Sequence, residues 1–385
     1  MLHPAHADQV RRLLAYVAEG RRELDEREGR IPTSRYTCAE RFEAERAALF
    51  RRHPVILGSA SQLAEPGACL THDALGLPIL LVRDRAGELR AFLNVCRHRG
   101  TRLVDDDGVC HKKALLCPYH HWMYALDGQL IRMPLADEGF PGFDRAERGL
   151  VRLPLEVRHG LVWLVPDAKA SIDLDAHLGG VGDELEALGL GTHRFYRQGA
   201  TRCQANWKLI VEAFSEAYHI RRLHKETLGG FFADCQAVMD RAGRHLRASV
   251  GRAAIEEARD LAEVERDPHN YVTFTYYLFP NSVLVFSPDY VTHLGLFPQS
   301  ADETIVIDTM LVPHEPVSDE EDQHWARSYD LISGQVFRQE DYRIAEQGQI
   351  GMRSGANDEL IVGRVEKGVR IFHEIVDEAL AEAAP

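Results

Sequence analysis

Asn94-Val95-Cys96-Arg97-His98-Arg99-Gly100 and Cys117-Pro118-Tyr119-His120-His121-Trp122 decide the reading of the N-terminal half. The pattern is Cys-x-His, eighteen intervening residues (99–116), then Cys-x₂-His. Around it, short apolar runs alternate with glycine and proline. Pro66-Gly67 and Gly76 to Pro78 precede Ile79 to Val82, and Gly87 precedes Leu89 to Val95. The texture continues from Trp122 to Leu130 and closes near Leu161 to Val165. Runs this short, bounded by turn residues, predict a small all-β module. Two loops of such a module can meet at one metal site, each bringing one sulfur and one imidazole.

A Rieske [2Fe–2S] centre has that composition, with two thiolates on one iron and two imidazoles on the other. Imidazole in place of thiolate raises the reduction potential, and the free ring N–H groups can couple electron transfer to nearby acids. A structural Cys₂His₂ zinc site uses the same ligand types and stays open as an alternative. The one-residue spacing of the first pair and the β texture argue against a zinc finger. Cys110-His111 lies between the halves and does not complete the second pair's spacing, so it is read as a bystander.

A second constellation follows Asn206-Trp207-Lys208, in a predicted helical stretch running to about Leu223. It holds Glu212, Glu216, Tyr218, His219 and, just beyond, His224. Glu216 and His219 are three apart and would share a helix face. His219 and His224 would lie roughly 140° apart around an ideal helix. Both reach one metal only if the helix ends, bends or bulges, and Ile220 to Leu223 is the expected irregularity. Two imidazoles plus one carboxylate would form a facial triad for Fe(II) with open positions for O₂. The region Arg338-Gln339-Glu340-Asp341-Tyr342-Arg343 can supply the acid, with Asp330 in reserve. A polar helix exterior is the bland alternative for this histidine pair.

The chain has 385 residues and a formal net charge of -14. That length predicts two domains, and that charge, with no basic stripe, argues against nucleic-acid binding. The N-terminus lacks a signal-peptide run and no stretch is apolar enough to span a membrane. Seven sparse cysteines predict a cytoplasmic protein without disulfides. Helical spacing marks Ala7 to Glu28 and Cys38 to Arg51. The acidic stretch Asp167 to Leu188 reads as a surface connection, and Arg252 to Arg266 as a solvated helical segment without chemistry. Strands are expected at Val272 to Tyr277, Ser282 to Phe286 and Thr304 to Val312, with helices after Ser318.

Residues 94 to 122 and 206 to 224 together resemble the α (catalytic) subunits of the Rieske non-haem iron ring-hydroxylating oxygenase family. The likeness extends to Ile31-Pro32 through Tyr36, to Arg83-Asp84-Arg85-Ala86-Gly87-Glu88-Leu89-Arg90-Ala91-Phe92, and to Tyr124 through Leu130. It implies an α+β chain: N-terminal helices (1–50) packing with the catalytic domain, an all-β Rieske iron–sulfur domain (51–166), and a helix-grip, START-like catalytic domain (167–385) with a curved antiparallel sheet.

By this resemblance Cys96, His98, Cys117 and His120 bind the [2Fe–2S] cluster. His219, His224 and Asp341 bind the mononuclear Fe(II). Glu216 is the bridging acid that links a neighbouring subunit's cluster to His219. An α₃ homotrimer is implied, served from NAD(P)H by a flavin and iron–sulfur reductase, with or without a ferredoxin. The implied reaction uses O₂ to hydroxylate or dihydroxylate an aromatic or related small organic substrate. N-demethylation or other oxidation of a quaternary amine is the alternative, and a zinc-bound, non-enzymatic scaffold a distant one. Pocket candidates are Phe214, Leu223, Leu228, Phe231, Phe232, Tyr276 and Phe286; Arg221, Arg222 and His293 could meet a carboxylate. Two departures from the family pattern stand out: His121 replaces a usual glycine, and Ala213 a common asparagine.

Overall fold

The structure is a computed structural model that describes residues 2–383. It divides into two compact units, Met1–Phe50 with Leu174–Pro385, and Arg51–Asp173. All seven cysteines are free thiols. Among the described residues no helix is long and apolar enough to cross a membrane.

The unit Arg51–Asp173 is built from short antiparallel strands. Five of them form one sheet, in the order Arg152–Leu153, Leu89–Leu93, Ile79–Arg83, Ala68–His72 and Cys110–His111. Leu155–Arg158, Leu161–Leu164 and Val55–Ser59 form a second sheet. Leu115–Leu116, Met123–Tyr124 and Leu130–Arg132 form a third. Leu80, Val82, Phe92, Leu115, Trp122 and Tyr124 fill the interior between them, and Cys96 and Cys117 belong to that same buried cluster. The buried Asn94 side chain ties down the first cysteine loop. It accepts from the amides of Leu103 and Val104 at 3.1 Å each and donates to the Val104 carbonyl at 2.7 Å. One amide thereby closes ten residues of loop backbone that no strand pairs.

The other unit is organised by a seven-stranded antiparallel sheet. Its strands are β1 (Arg194–Cys203), β2 (Phe232–Ala242), β3 (His245–Arg252), β4 (Val272–Leu278), β5 (Ser282–Phe286), β6 (Val291–Ser300) and β7 (Glu303–Val312), in the order β1-β7-β6-β5-β4-β3-β2. Helix α1 (Trp207–Ala213) runs between β1 and β2 in sequence, and the single turn α2 (Ile220–Leu223) follows it. After β7 come α3 (Asp319–Tyr329), an under-wound π segment at Asp330–Asp341, α4 (Tyr342–Arg353) and α5 (Lys367–Ala383). The Ser318 side chain caps α3 by accepting from the Glu321 amide at 3.2 Å.

The first fifty residues pack into this unit. Glu45 and Lys208 are both fully buried, 2.6 Å apart, and Trp207 Nε1 donates to the same carboxylate oxygen at 3.0 Å. Arg41 donates to the other oxygen at 2.9 Å. Three donors on one carboxylate offset its desolvation and fix α1 against the N-terminal segment. Trp207 also meets Phe50 and Phe372 edge-on.

Besides the helix read over Ala7 to Glu28, which ends at Ala18, two sequence expectations are revised. The stretch 167–188, read as a surface connection, contains the helices Leu174–Leu178 and Val181–Ala187. There Glu184 is buried, paired with Arg247 and accepting from Tyr276 Oη at 2.7 Å. The other expectation was one long helix to Leu223. Helix α1 instead ends at Ala213, and the chain breaks before His219 rather than after it.

Candidate functional site

The break after α1 has a local cause. The Glu216 carboxylate accepts from the amides of Tyr218 and His219, satisfying donors that a continuing helix would have used. His219 and His224 then stand at the two ends of the single turn α2, with ring centroids 5.2 Å apart at 77°. Ile220 to Leu223, the expected irregularity, is the helical turn itself.

Asp341 arrives from the far end of the π segment. His219, His224 and Asp341 each offer a ligand atom, all within 4.8 Å of one another. Nε2 of His224 lies 3.2 Å, and Nε2 of His219 3.8 Å, from Asp341 Oδ1. That oxygen is buried and has no hydrogen-bond partner among the described residues. Two imidazole nitrogens converging on an orphaned carboxylate oxygen suit a divalent cation of the non-haem Fe(II) type. Each ring is held from behind by a second acid. His219 Nδ1 bonds to Glu216, and His224 Nδ1 donates to Glu340 Oε2 at 2.6 Å. Because carboxylates only accept, Nδ1 carries the proton in both rings and Nε2 keeps its lone pair for metal. Burial alone would lower both imidazole pKa values. Glu216 outweighs it for His219, as Asp341 and Glu340 do for His224, so both are raised. Asp330, the reserve ligand, is exposed beside Arg197 and takes no part.

The residues of the other constellation also converge. Cys96 and Cys117 are buried, and their thiols interact. The His98 and His120 rings lie 4.6 Å apart at 72°. His98 stacks on Trp122 at 4.7 Å, and its buried Nδ1 has no hydrogen-bond partner among the described residues. A sulfur pair beside an imidazole pair fits a two-iron group better than a single tetrahedral ion. Cys110-His111 instead forms an edge strand, with Cys110 opposite Cys69.

A cavity of about 350 Å³ opens over His219, His224 and Asp341. Of the expected pocket residues, Phe214, Leu228, Phe231 and Phe232 line it, as do Ala213 and Glu216. Leu223, Tyr276 and Phe286 do not. For Tyr276 and Phe286 the reason is the two-residue period of a strand. Val250, Thr273, Thr275, Val285 and Thr292 face one another across the registers of β3 to β6 and line the cavity. Phe274, Tyr276 and Phe286 take the alternate positions, where Phe286 packs on Tyr276 and Tyr276 bonds to His6. The suggested carboxylate contacts are placed elsewhere too. Arg222 pairs with Asp234 at 2.6 Å, Arg221 is exposed, and His293 is buried against Ser282. Sequence reasoning missed Glu340, named only as a neighbour of Asp341, and Arg252, which lines the cavity.

The family description "Ring hydroxylating alpha subunit (catalytic domain)" matches residues 185–382, and "Rieske [2Fe-2S] domain" matches residues 53–152. The chain belongs to the ring-hydroxylating oxygenase alpha-subunit family. Its cofactors are accordingly a Rieske [2Fe–2S] cluster and a mononuclear iron, and it is an oxidoreductase.

The alpha subunit is 29% identical to the carnitine monooxygenase oxygenase subunit of Escherichia coli (strain K12) over 370 residues, covering 91% of this chain and 94% of the relative. It is 33% identical to the biphenyl 2,3-dioxygenase alpha subunit of Rhodococcus jostii over 201 residues, covering 51% and 43%. Among solved structures, that of the quaternary ammonium Rieske monooxygenase CntA superposes with a TM-score of 0.78 at 25% identity, covering 91% of this chain and 94% of that one.

Proposed function

We propose that this chain is the terminal oxygenase of a multicomponent system, and that it hydroxylates a carbon attached to nitrogen in a small quaternary amine. The observation that carries the oxygenase reading is the convergence of His219, His224 and Asp341 at the floor of the cavity. The choice of amine over arene rests on similarity. The carnitine monooxygenase oxygenase subunits match over 90% and 91% of the chain, whereas the biphenyl dioxygenase likeness covers 51% of it.

In this reading Cys96, His98, Cys117 and His120 hold the cluster, and His219, His224 and Asp341 hold the iron. The cluster supplies single electrons and the iron activates O₂. The chain's own groups position and insulate. Phe214, Leu228, Phe231 and Phe232 exclude water and hold the substrate carbon over the three ligands. Glu216 fixes the His219 tautomer and is the group through which a neighbouring subunit's cluster would connect in an α₃ assembly. A reductase drawing on NAD(P)H, with or without a ferredoxin, supplies two electrons. One oxygen atom converts C–H to C–OH, and the other leaves as water. The hydroxylated carbon then releases its nitrogen as a tertiary amine and becomes an aldehyde. Seven cysteines with no disulfide among them support a reducing, cytoplasmic setting.

The experiment is turnover of the oxygenase with a partner reductase on trimethylammonium compounds and on arenes, with products read by mass spectrometry. Aldehyde and tertiary amine support the proposal. A phenol or cis-diol from the arenes, with the amines untouched, transfers the protein to the arene hydroxylators.

A further inference from the structure

Many arginines around the sheet are paired. Arg247 meets Glu184, Arg241 meets Glu378, Arg244 meets Glu382, Arg222 meets Asp234 and Arg12 meets Asp240. Arg252, the last residue of β3, is not paired. It is half-buried and lines the cavity over the metal-ligand triad. Among the described residues its guanidinium has no carboxylate partner and no hydrogen bond; the Phe232 ring lies 5.7 Å from Cζ, and Tyr290 and His269 are also close. Burial pulls it below its usual value with no acid to restore it. The acids that share the cavity are engaged elsewhere: Glu216 and Asp341 with the histidines, Asp289 with His324 and Trp325.

An arginine half withdrawn from water with no acid beside it gains from one, and a planar fork of donors matches a carboxylate's two oxygens. The wall beside it offers hydroxyls from Thr273, Thr275 and Thr292 rather than charge. We infer that Arg252 anchors a carboxylate on the substrate, so that the natural substrate is a small organic acid held by its anionic end while another carbon faces the metal-ligand triad. A neutral arene would leave the guanidinium unpaired in the filled cavity. The inference rests on the reading of this cavity as the substrate site.

Isothermal titration calorimetry on the purified full-length oxygenase tests it with two matched pairs of probes. These are glycine betaine with its methyl ester, and benzoate with methyl benzoate. At least one acid should bind at least about tenfold more tightly than its ester. R252M should erase that preference while its thermal melt and iron content match the wild type, and R252K, which keeps charge without the fork, should retain part of it. No acid preference in the wild type overturns the inference even if R252M proves insoluble, and so does a preference that survives in R252M. Preference for benzoate alone supports the Arg252 anchor while counting against a quaternary amine as substrate. Aldehyde release from amines without any acid preference overturns the anchor and leaves the proposed function standing.

Discussion

His224 donates its Nδ1–H to Glu340 across 2.6 Å, and the same ring turns Nε2 toward Asp341 at 3.2 Å. Glu340 also accepts from Thr227 Oγ1 at 2.9 Å, so its carboxylate is fixed before it fixes the imidazole. Adjacent acids, Glu340 and Asp341, thus serve opposite sides of one ring. Removing the Glu340 charge should loosen iron rather than the fold. Glu340→Gln is expected to lower iron affinity by about 10- to 100-fold. Iron content after dialysis against graded chelator, with the thermal melt as control, checks this.

Glu216 has two duties that can be separated. It holds the His219 ring and two amides, and in an α₃ assembly it would carry the link from a neighbour's cluster. Glu216→Gln keeps an acceptor for His219 but loses the charge. Both metals should remain largely bound while product formation in a single turnover slows. An undiminished rate would remove Glu216 from the electron path.

His121 sits at φ 57°, a left-handed conformation that glycine adopts without cost. Its amide donates to the Cys117 carbonyl at 3.1 Å, so the turn keeps its shape despite the side chain. His121→Gly should stabilise the protein by about 0.5–1 kcal/mol. Chemical denaturation of the two forms, followed at the visible absorbance of the cluster and by circular dichroism, measures the difference.

Stability should fall on mild acidification, through histidines buried as neutral rings. His245 accepts the Phe279 amide at Nδ1 and donates Nε2–H to the His177 carbonyl; burial lowers its pKa to about 4. Folded His245 stays neutral where the unfolded ring, with a pKa near 6.5, takes up a proton. The unfolded state therefore binds more protons between about pH 6.5 and pH 4, and stability declines as pH falls through that window. The slope for this one group is up to about 1.4 kcal/mol per pH unit. Melting temperatures of wild type and His245→Asn from pH 7 to 4.5 check it. A wild-type decline no steeper than the variant's would rule His245 out as a source.

Much of this protein is local in origin, and local pattern reads directly from sequence. Cys-x-His and Cys-x₂-His place four donors on two loops because each pair is only three or four residues long. The strands Val272–Leu278 and Ser282–Phe286 follow from β-branched and aromatic runs bounded by turns. Glu216, His219 and His224 lie within nine residues of one another, so their association is visible before any fold is known.

What the tertiary structure decided is which side chains share a space. Asp341 reaches the histidines from more than a hundred residues away, and nothing in the spacing distinguishes it from Asp330 until the π segment turns one inward and leaves the other in solvent. The two-residue period of β4 and β5 shows that Thr275 and Tyr276 face opposite sides, but only packing determines which side is the cavity. Arg252 makes the same point most sharply. In sequence it opens a charged stretch that reads as solvated surface. In the fold it ends a strand whose inner face lines the cavity, and the carboxylate that would neutralise it is missing from the chain around it. Periodicity is a property of neighbours along the backbone; the presence or absence of a charge partner is a property of the whole packed molecule.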